Sequence, residues 1–281
     1  RSSQPSGLLK RPCAVLSWKH WNMSNPHLSL VSLTVLLALS PVWRAIPLAA
    51  DEAQAIVDEA QRRVTTTSER YAGVLQSFNA DGKTSEKRWT FERTGSHGES
   101  KTIIRFTEPA EVAGVALLIV NHPERASDQW MWTPALQRDR RIALQDRSAR
   151  FFGTDFSFED LEERVAGQYD HTLLTEEALT GVATWKIQAV AKRTRSSQYS
   201  KQVLWITKDE YVTVRIDSYA KDEVVRRLQS SKIRPVQGIA TAHEMEMTDL
   251  PRGSRTRLVL DKIQYNLPLQ DSDFTAQGLR R

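Results

Sequence analysis

The spacing of hydrophobic positions changes once along the chain, just after residue 66. Before that point Ala53, Ile56, Val57, Ala60 and Val64 recur at helical intervals, and Asp51 and Glu52 stand where a helix N-terminus favours acids. This predicts one amphipathic helix over residues 51–66, with an apolar stripe that must cover something. Beyond it the period falls to two. Residues 71–78 and 85–93 alternate on either side of Asn79-Ala80-Asp81-Gly82, a hairpin turn signal. A strand over 101–107 is broken by Glu108-Pro109. Residues 112–120 (VAGVALLIV) are continuously apolar, as in a strand buried on both faces or lining an apolar hollow. Residues 128–133 and 140–144 predict a hairpin around Pro134-Ala135-Leu136.

Residues 147–158 have no period and predict a loop. Ser157, with Asp160 three positions later, is a capping-box signal for a short helix at 158–165. The strand rhythm then resumes in hairpins over 172–179 and 183–192, 202–207 and 212–219, and 224–234 and 239–249. A last strand covers 255–265, and Leu267–Gly278 reads as a polar tail. Ten or eleven short strands behind one helix imply a mainly β protein with few helices. The expected architecture is a curved antiparallel sheet or barrel, forming a single domain over residues 51–281.

Such a sheet sets a packing problem. The apolar faces carrying Trp89, Phe91, Ile104, Phe106, Trp130, Trp132, Trp185 and Ile187 must meet, and a wide or incomplete barrel leaves a cavity where they do. One helix cannot fill that space. It can cap it.

Composition changes the picture mainly by exclusion. The chain of 281 residues has 40% hydrophobic and 26% charged positions, a soluble globular balance. Its formal charge of +5 suggests nucleic acid at first sight. Arg1, Lys10, Arg11, Lys19 and Arg44 supply that whole surplus, leaving 34 basic against 34 acidic residues beyond position 50. No nucleic-acid partner is therefore expected. Residues 28–43 (LSLVSLTVLLALSPVW) form a short apolar run, and small residues follow at Ala45, Ala49 and Ala50. This is the layout of a secretory signal peptide cleaved near Ala49 or Ala50, with translation starting at Met23 and residues 1–22 as an upstream extension. Cys13 precedes the run and no cysteine follows it, which removes disulfides, thiol nucleophiles and a lipid-anchoring cysteine from the exported part.

Catalytic chemistry finds little support. His97, His122, His171 and His243 show no zinc-ligand spacing, and His243 and Glu244 point to opposite faces of a strand. No metal or cofactor is expected. Asp146, Asp155, Glu159 and Asp160 could form a general acid/base pair, but acids at a helix start and beside a basic run have simpler roles. No catalytic residue is assigned. Arg138, Arg140, Arg141, Arg147 and Arg150 could bind phosphate head groups or an acidic partner, or could pair with the acids after Asp155.

The stretch D-Q-W-M-W-x-P-A-L-x-R-x-R-R-I from Asp128, followed by Asp146-Arg147 and by G-T-D-F-S-F-E-D-L from Gly153, resembles the outer-membrane lipoprotein-sorting family. These are LolA-like periplasmic proteins of Gram-negative bacteria. The resemblance continues at Ser218–Lys221, at His243-Glu244-Met245-Glu246-Met247, at Arg255-Thr256 and at Tyr265-Asn266, and spans residues 55 to 280. It implies an incomplete, half-open β-barrel whose helix and loop form a lid over an apolar cavity. It also implies a carrier of lipid or lipoprotein acyl chains between inner and outer membrane. Relatives encoded beside exporters of the resistance-nodulation-division (RND) type suggest such a transporter as partner. No residue here aligns with the lid-latching arginine of the LolA carrier, which leaves the cargo open.

On this reading Trp89, Phe91, Ile104, Phe106, Trp130 and Trp132 line the cavity. The helix, through Ile56 and Ala60, and the loop, through Phe151, Phe152 and Phe156, form the lid. Arg138, Arg140 and Arg141 meet a partner or lipid head groups, and the protein acts as a monomer. The alternative is a periplasmic module that docks on an RND-type exporter without carrying cargo.

Overall fold

The computed structural model describes residues 46–281. The expected start at Met23 and the apolar run of the signal peptide lie outside the described residues. Helix α1 (Ile46–Arg63) opens the described chain. Its stripe behaves as the spacing demands, with Ala53, Ile56, Val57 and Ala60 buried, while Val64 falls beyond the last turn and stays 39% exposed. Among the described residues no helix is long and apolar enough to cross a membrane.

Thirteen strands follow: β1 (Ser68–Phe78), β2 (Thr84–Thr94), β3 (Lys101–Glu108), β4 (Ala116–Val120), β5 (Asp128–Thr133), β6 (Arg138–Ile142), β7 (Tyr169–Leu179), β8 (Val182–Ala191), β9 (Lys201–Thr207), β10 (Thr213–Ala220), β11 (Glu223–Val236), β12 (Ile239–Asp249) and β13 (Ser254–Tyr265). They form one sheet in the order β6-β5-β4-β3-β2-β1-β13-β12-β11-β10-β9-β8-β7. Every pairing is antiparallel. Neighbours in the sheet are neighbours in sequence, except where β1 lies beside β13. Two meanders are thus welded along the first and last strands. The far edges, β6 and β7, do not pair, so the barrel stays open, as the sequence implies.

The segment between β6 and β7 is folded onto one face of the sheet, here called the inner face. Phe151 is fully buried and stacks on Phe106 at 5.2 Å, while Phe152 and Phe158 meet it edge-on. These rings join Tyr71, Trp89, Ile104, Leu117 and Leu258 in the larger inner core. Trp89 fits because Gly73 lies opposite it across β1–β2, where an added Cβ would come within 1.9 Å of the indole nitrogen. Helix α1 covers the other half of the inner face, against Tyr169, Ile187, Ala189, Leu204 and Ile206.

Three expectations need correction. The capping box at Ser157 forms, with Ser157 N–H donating to Asp160 Oδ2 at 2.7 Å and Asp160 N–H to Ser157 Oγ at 3.3 Å. It closes only the single 3-10 turn Glu159–Leu161, because Glu162 is extended and its carboxylate is bound elsewhere. The polar tail is not merely polar: Phe274 and Leu279 are buried on the outer face with Ile103, Ala116 and Leu118. Arg105 fixes the tail there by donating to the carbonyls of Leu279 and Gly278. Finally, Trp130 and Trp132 belong to this outer cluster, and Met131 between them packs on the inner core. Strands β4 and β5 are apolar on both faces, so alternation alone could not say which face is which.

Candidate functional site

Between α1, the loop after Phe158 and the sheet lies a cavity of about 450 Å³. That volume falls within the roughly 300–1,000 Å³ of ordinary small-molecule pockets. Val57, Ala60 and Val64 supply the helix side, Leu161 the loop side, and Leu204, Ile206, Met245 and Leu260 the floor. Residues 240–242 of β12 border it, with Thr241 turned inward to Tyr265 Oη at 3.0 Å. The space exists because one helix and one loop cannot tile a thirteen-stranded sheet.

One end of this hollow is polar. Arg93, buried on β2, donates to Thr66 Oγ1 at 2.9 Å and to Glu69 Oε2 at 3.2 Å, and lies 3.6 Å from Glu163. Glu163 also accepts from Ser100 Oγ at 2.5 Å and from Gly98 N–H at 3.3 Å. Burial pushes the Glu69 carboxyl up, against the opposing pull of Arg93. His97, 3.7 Å from Glu163, is pushed down by burial although that carboxylate favours its charged form. The cluster ties the loop to β1, β2 and the turn between β2 and β3.

The acids of the loop are turned inward rather than to solvent, and each has a partner. Asp155 accepts from Ser254 and Thr256 of β13 at 2.6 and 2.7 Å and pairs with Arg150 at 2.7 Å. Asp160 accepts from Tyr199 Oη and Arg226 Nη1, each at 2.7 Å. Glu159 accepts from Ser197 and from Gln198 N–H. Glu162 takes the buried guanidinium groups of Arg147 and Arg195 and the Gln129 amide. These four carboxylates fix the loop on the sheet, and Arg147 and Arg150 pair with Glu162 and Asp155 rather than facing a partner. Among the described residues no group of His, Cys, Asp and Glu could hold a metal ion.

The residues singled out in the sequence are distributed as follows. Phe91 borders the cavity, stacked on Tyr71 at 4.4 Å. Trp89, Ile104 and Phe106 lie in the core beneath Phe151. Trp130 and Trp132 lie on the outer face. Of the lid residues, Ala60 borders the cavity, Ile56 packs against the sheet, and Phe151, Phe152 and Phe156 plug the core beside it. Arg138, Arg140 and Arg141 are exposed on edge strand β6, where Arg140 pairs with Asp146 and Arg141 with Asp128. Sequence reasoning missed the contribution of β9, β12 and β13. Its only signal was the alternation of Leu204 with Ile206 and of Leu258 with Leu260.

Residues 98–281 match the model of a protein family described as "-like: Uncharacterized protein". The chain belongs to that family. Its fold is LolA-like. An outer membrane lipoprotein-sorting protein domain from Vibrio parahaemolyticus is 26% identical, with 83% of this chain and 100% of that one covered at a TM-score of 0.78. A DUF1329 family protein from Desulfovibrio piger is 25% identical, covering 82% of this chain and 99% of its own at 0.78. A LolA superfamily protein from Nitrosomonas europaea shares the fold at 20% identity and a TM-score of 0.66, over 80% of this chain and 98% of its own. None of the curated proteins matches. In this LolA-like frame the cavity lies where the helix and the loop meet over the open sheet.

Proposed function

We propose that this LolA-like protein is a periplasmic carrier that shields acyl chains of lipid or lipoprotein in transit between inner and outer membrane. The observation that carries this reading is the mostly apolar cavity of about 450 Å³ between α1, the loop and the sheet. Binding there is non-covalent. Removing apolar surface from water is worth about 25 cal/mol per Å², so a buried chain gains affinity without a specific contact along its length. The arrangement around the cavity is one of shelter, with carboxylates committed to structural partners. Helix and loop together serve as the lid.

Native mass spectrometry of protein purified from a bacterial envelope tests the proposal. A co-purifying lipid adduct is expected. Repeatedly lipid-free protein that also takes up no fluorescent fatty acid would overturn it.

A second reading is favoured by the exposed arginines of β6: a module that docks on an inner-membrane RND-type exporter. Charge reversal at Arg138, Arg140 and Arg141 separates the two roles. If β6 is only a docking edge, lipid uptake is unchanged and transfer to the partner weakens. Loss of uptake in a folded variant would sink that division of labour.

A further inference from the structure

Among the described residues the cavity wall contains one arginine without a counter-ion. Arg164 follows the turn at Glu159–Leu161 and borders both the main cavity and an adjoining cleft of about 80 Å³. Its guanidinium lies 4.0 Å over the ring of Tyr169. Nη1 donates to the neutral amide oxygen of Gln202, while Nε and Nη2 are buried and have no acceptor. The other buried arginines of the described chain, Arg93, Arg147, Arg195 and Arg226, each meet a carboxylate within 4 Å. Among the described residues Arg164 makes no ion pair. Burial lowers its pKa first of all, Tyr169 opposes that, and Arg195 acts on it as a like charge. A buried guanidinium with orphaned N–H groups is costly, and an unsatisfied buried donor in a folded protein calls for a partner. The described residues offer none.

Resting on the carrier reading, we infer that Arg164 anchors an anionic head group, a carboxylate or a phosphate, of a ligand whose acyl chain occupies the apolar cavity. A planar guanidinium suits both oxyanions, because its N–H groups form a fork that matches two oxygens. Its place in the wall between cavity and cleft puts the head group at the end of the chain-binding space. The carboxylates around the cleft do not compete, since Glu159, Asp160 and Glu162 already accept from Ser197, Tyr199, Arg226, Arg147 and Arg195. Tyr169 keeps the guanidinium stacked, which limits the rotamer freedom lost on binding.

Calorimetric titration with three probes of equal chain length tests this: dodecanoate, dodecyl phosphate and dodecanol. The unsubstituted protein is expected to bind at least one anionic probe about tenfold or more tightly than the alcohol, as a buried charge-assisted pair requires. Which anion wins tells a fatty-acid ligand from a phospholipid one. Arg164→Gln is expected to bring the anion down to the level of the alcohol and leave the alcohol unchanged, while Arg164→Lys retains part of the preference. Equal binding of anions and alcohol by the unsubstituted protein overturns the head-group site while the carrier reading stands, and this comparison needs no variant. Equal loss for all three probes in Arg164→Gln makes Arg164 structural and likewise overturns the site. If no probe binds to the unsubstituted protein, the carrier reading fails first and takes this inference with it.

Discussion

Glu162 is held from three sides by Arg147, Arg195 and the Gln129 amide, and its side chain is 1% exposed. Two guanidinium groups share one carboxylate there, and Gln168 takes part of the surplus by accepting from Arg195 at 2.6 Å. Gln168 in turn donates to the carbonyls of His122, Pro123 and Arg125, which carries the loop's position into the turn between β4 and β5. A buried pair of this kind contributes little against an apolar replacement of the whole set, but removal of one member leaves charge stranded. Glu162→Ala is therefore expected to cost about 3–5 kcal/mol. In a domain of this size that lowers the midpoint of thermal unfolding by roughly 6–20 °C. A shift below about 2 °C in a calorimetric scan would mean that water reaches the two arginines and that the lid is looser than its contacts imply.

Helix α1 and β7 meet through a titratable contact. His171 shares a hydrogen bond of 2.8 Å through Nδ1 with Gln54 Oε1, and its Nε2 is buried without a partner. Burial first, and then the positive charges of Arg164 and Lys192, hold the imidazole at about 4. An unfolded histidine titrates near 6.5. The unfolded chain therefore binds more protons between those values, so stability falls as pH drops from about 6.5 to about 4. From pH 7 to pH 5 this group alone should remove about 2 kcal/mol in denaturant unfolding, and His171→Gln should flatten that part of the profile. Identical slopes for both proteins would show that the helix lifts and lets the ring titrate freely. At this scale the sequence was informative where period decides structure: the helix, the hairpins and the antiparallel sheet follow from alternation and turn residues, while its openness was implied by the family resemblance. It was uninformative where both faces of a strand are apolar, which is why Trp130 and Trp132 could be assigned to the wrong side of Met131. The tail was missed because Phe274 and Leu279 are isolated apolar residues among polar ones, with no period to flag them. The cavity was legible only as a requirement of the sheet's width. Its floor joins β9, β12 and β13 to β1 and β2, and the β1–β13 pairing brings together residues nearly two hundred positions apart.

Across the whole molecule, the two meanders differ in what covers them. Among the described residues the β1–β6 part is plugged by phenylalanines and sealed outside by the tail, and the β7–β10 part is covered by α1. The cavity lies along the seam, with Met245 and Leu260 in its floor. Filling that room should separate binding from folding. Met245→Trp puts a larger ring at an inner-face position that is only half-buried and borders empty space, so strain of the kind that overpacks a full core is not expected. Burying the ring is worth about 1.5–3 kcal/mol at most, and the thermal midpoint should stay level or rise. Uptake of a fluorescent fatty acid should fall about tenfold or more, because an acyl chain would have to displace the ring to occupy the same floor. The same ring on the outer face, Val190→Trp at an exposed position of β8, should leave uptake unchanged. If Met245→Trp binds the acid as well as the unsubstituted protein does, the chain lies elsewhere, and the seam between the two meanders is a packing defect rather than a binding site.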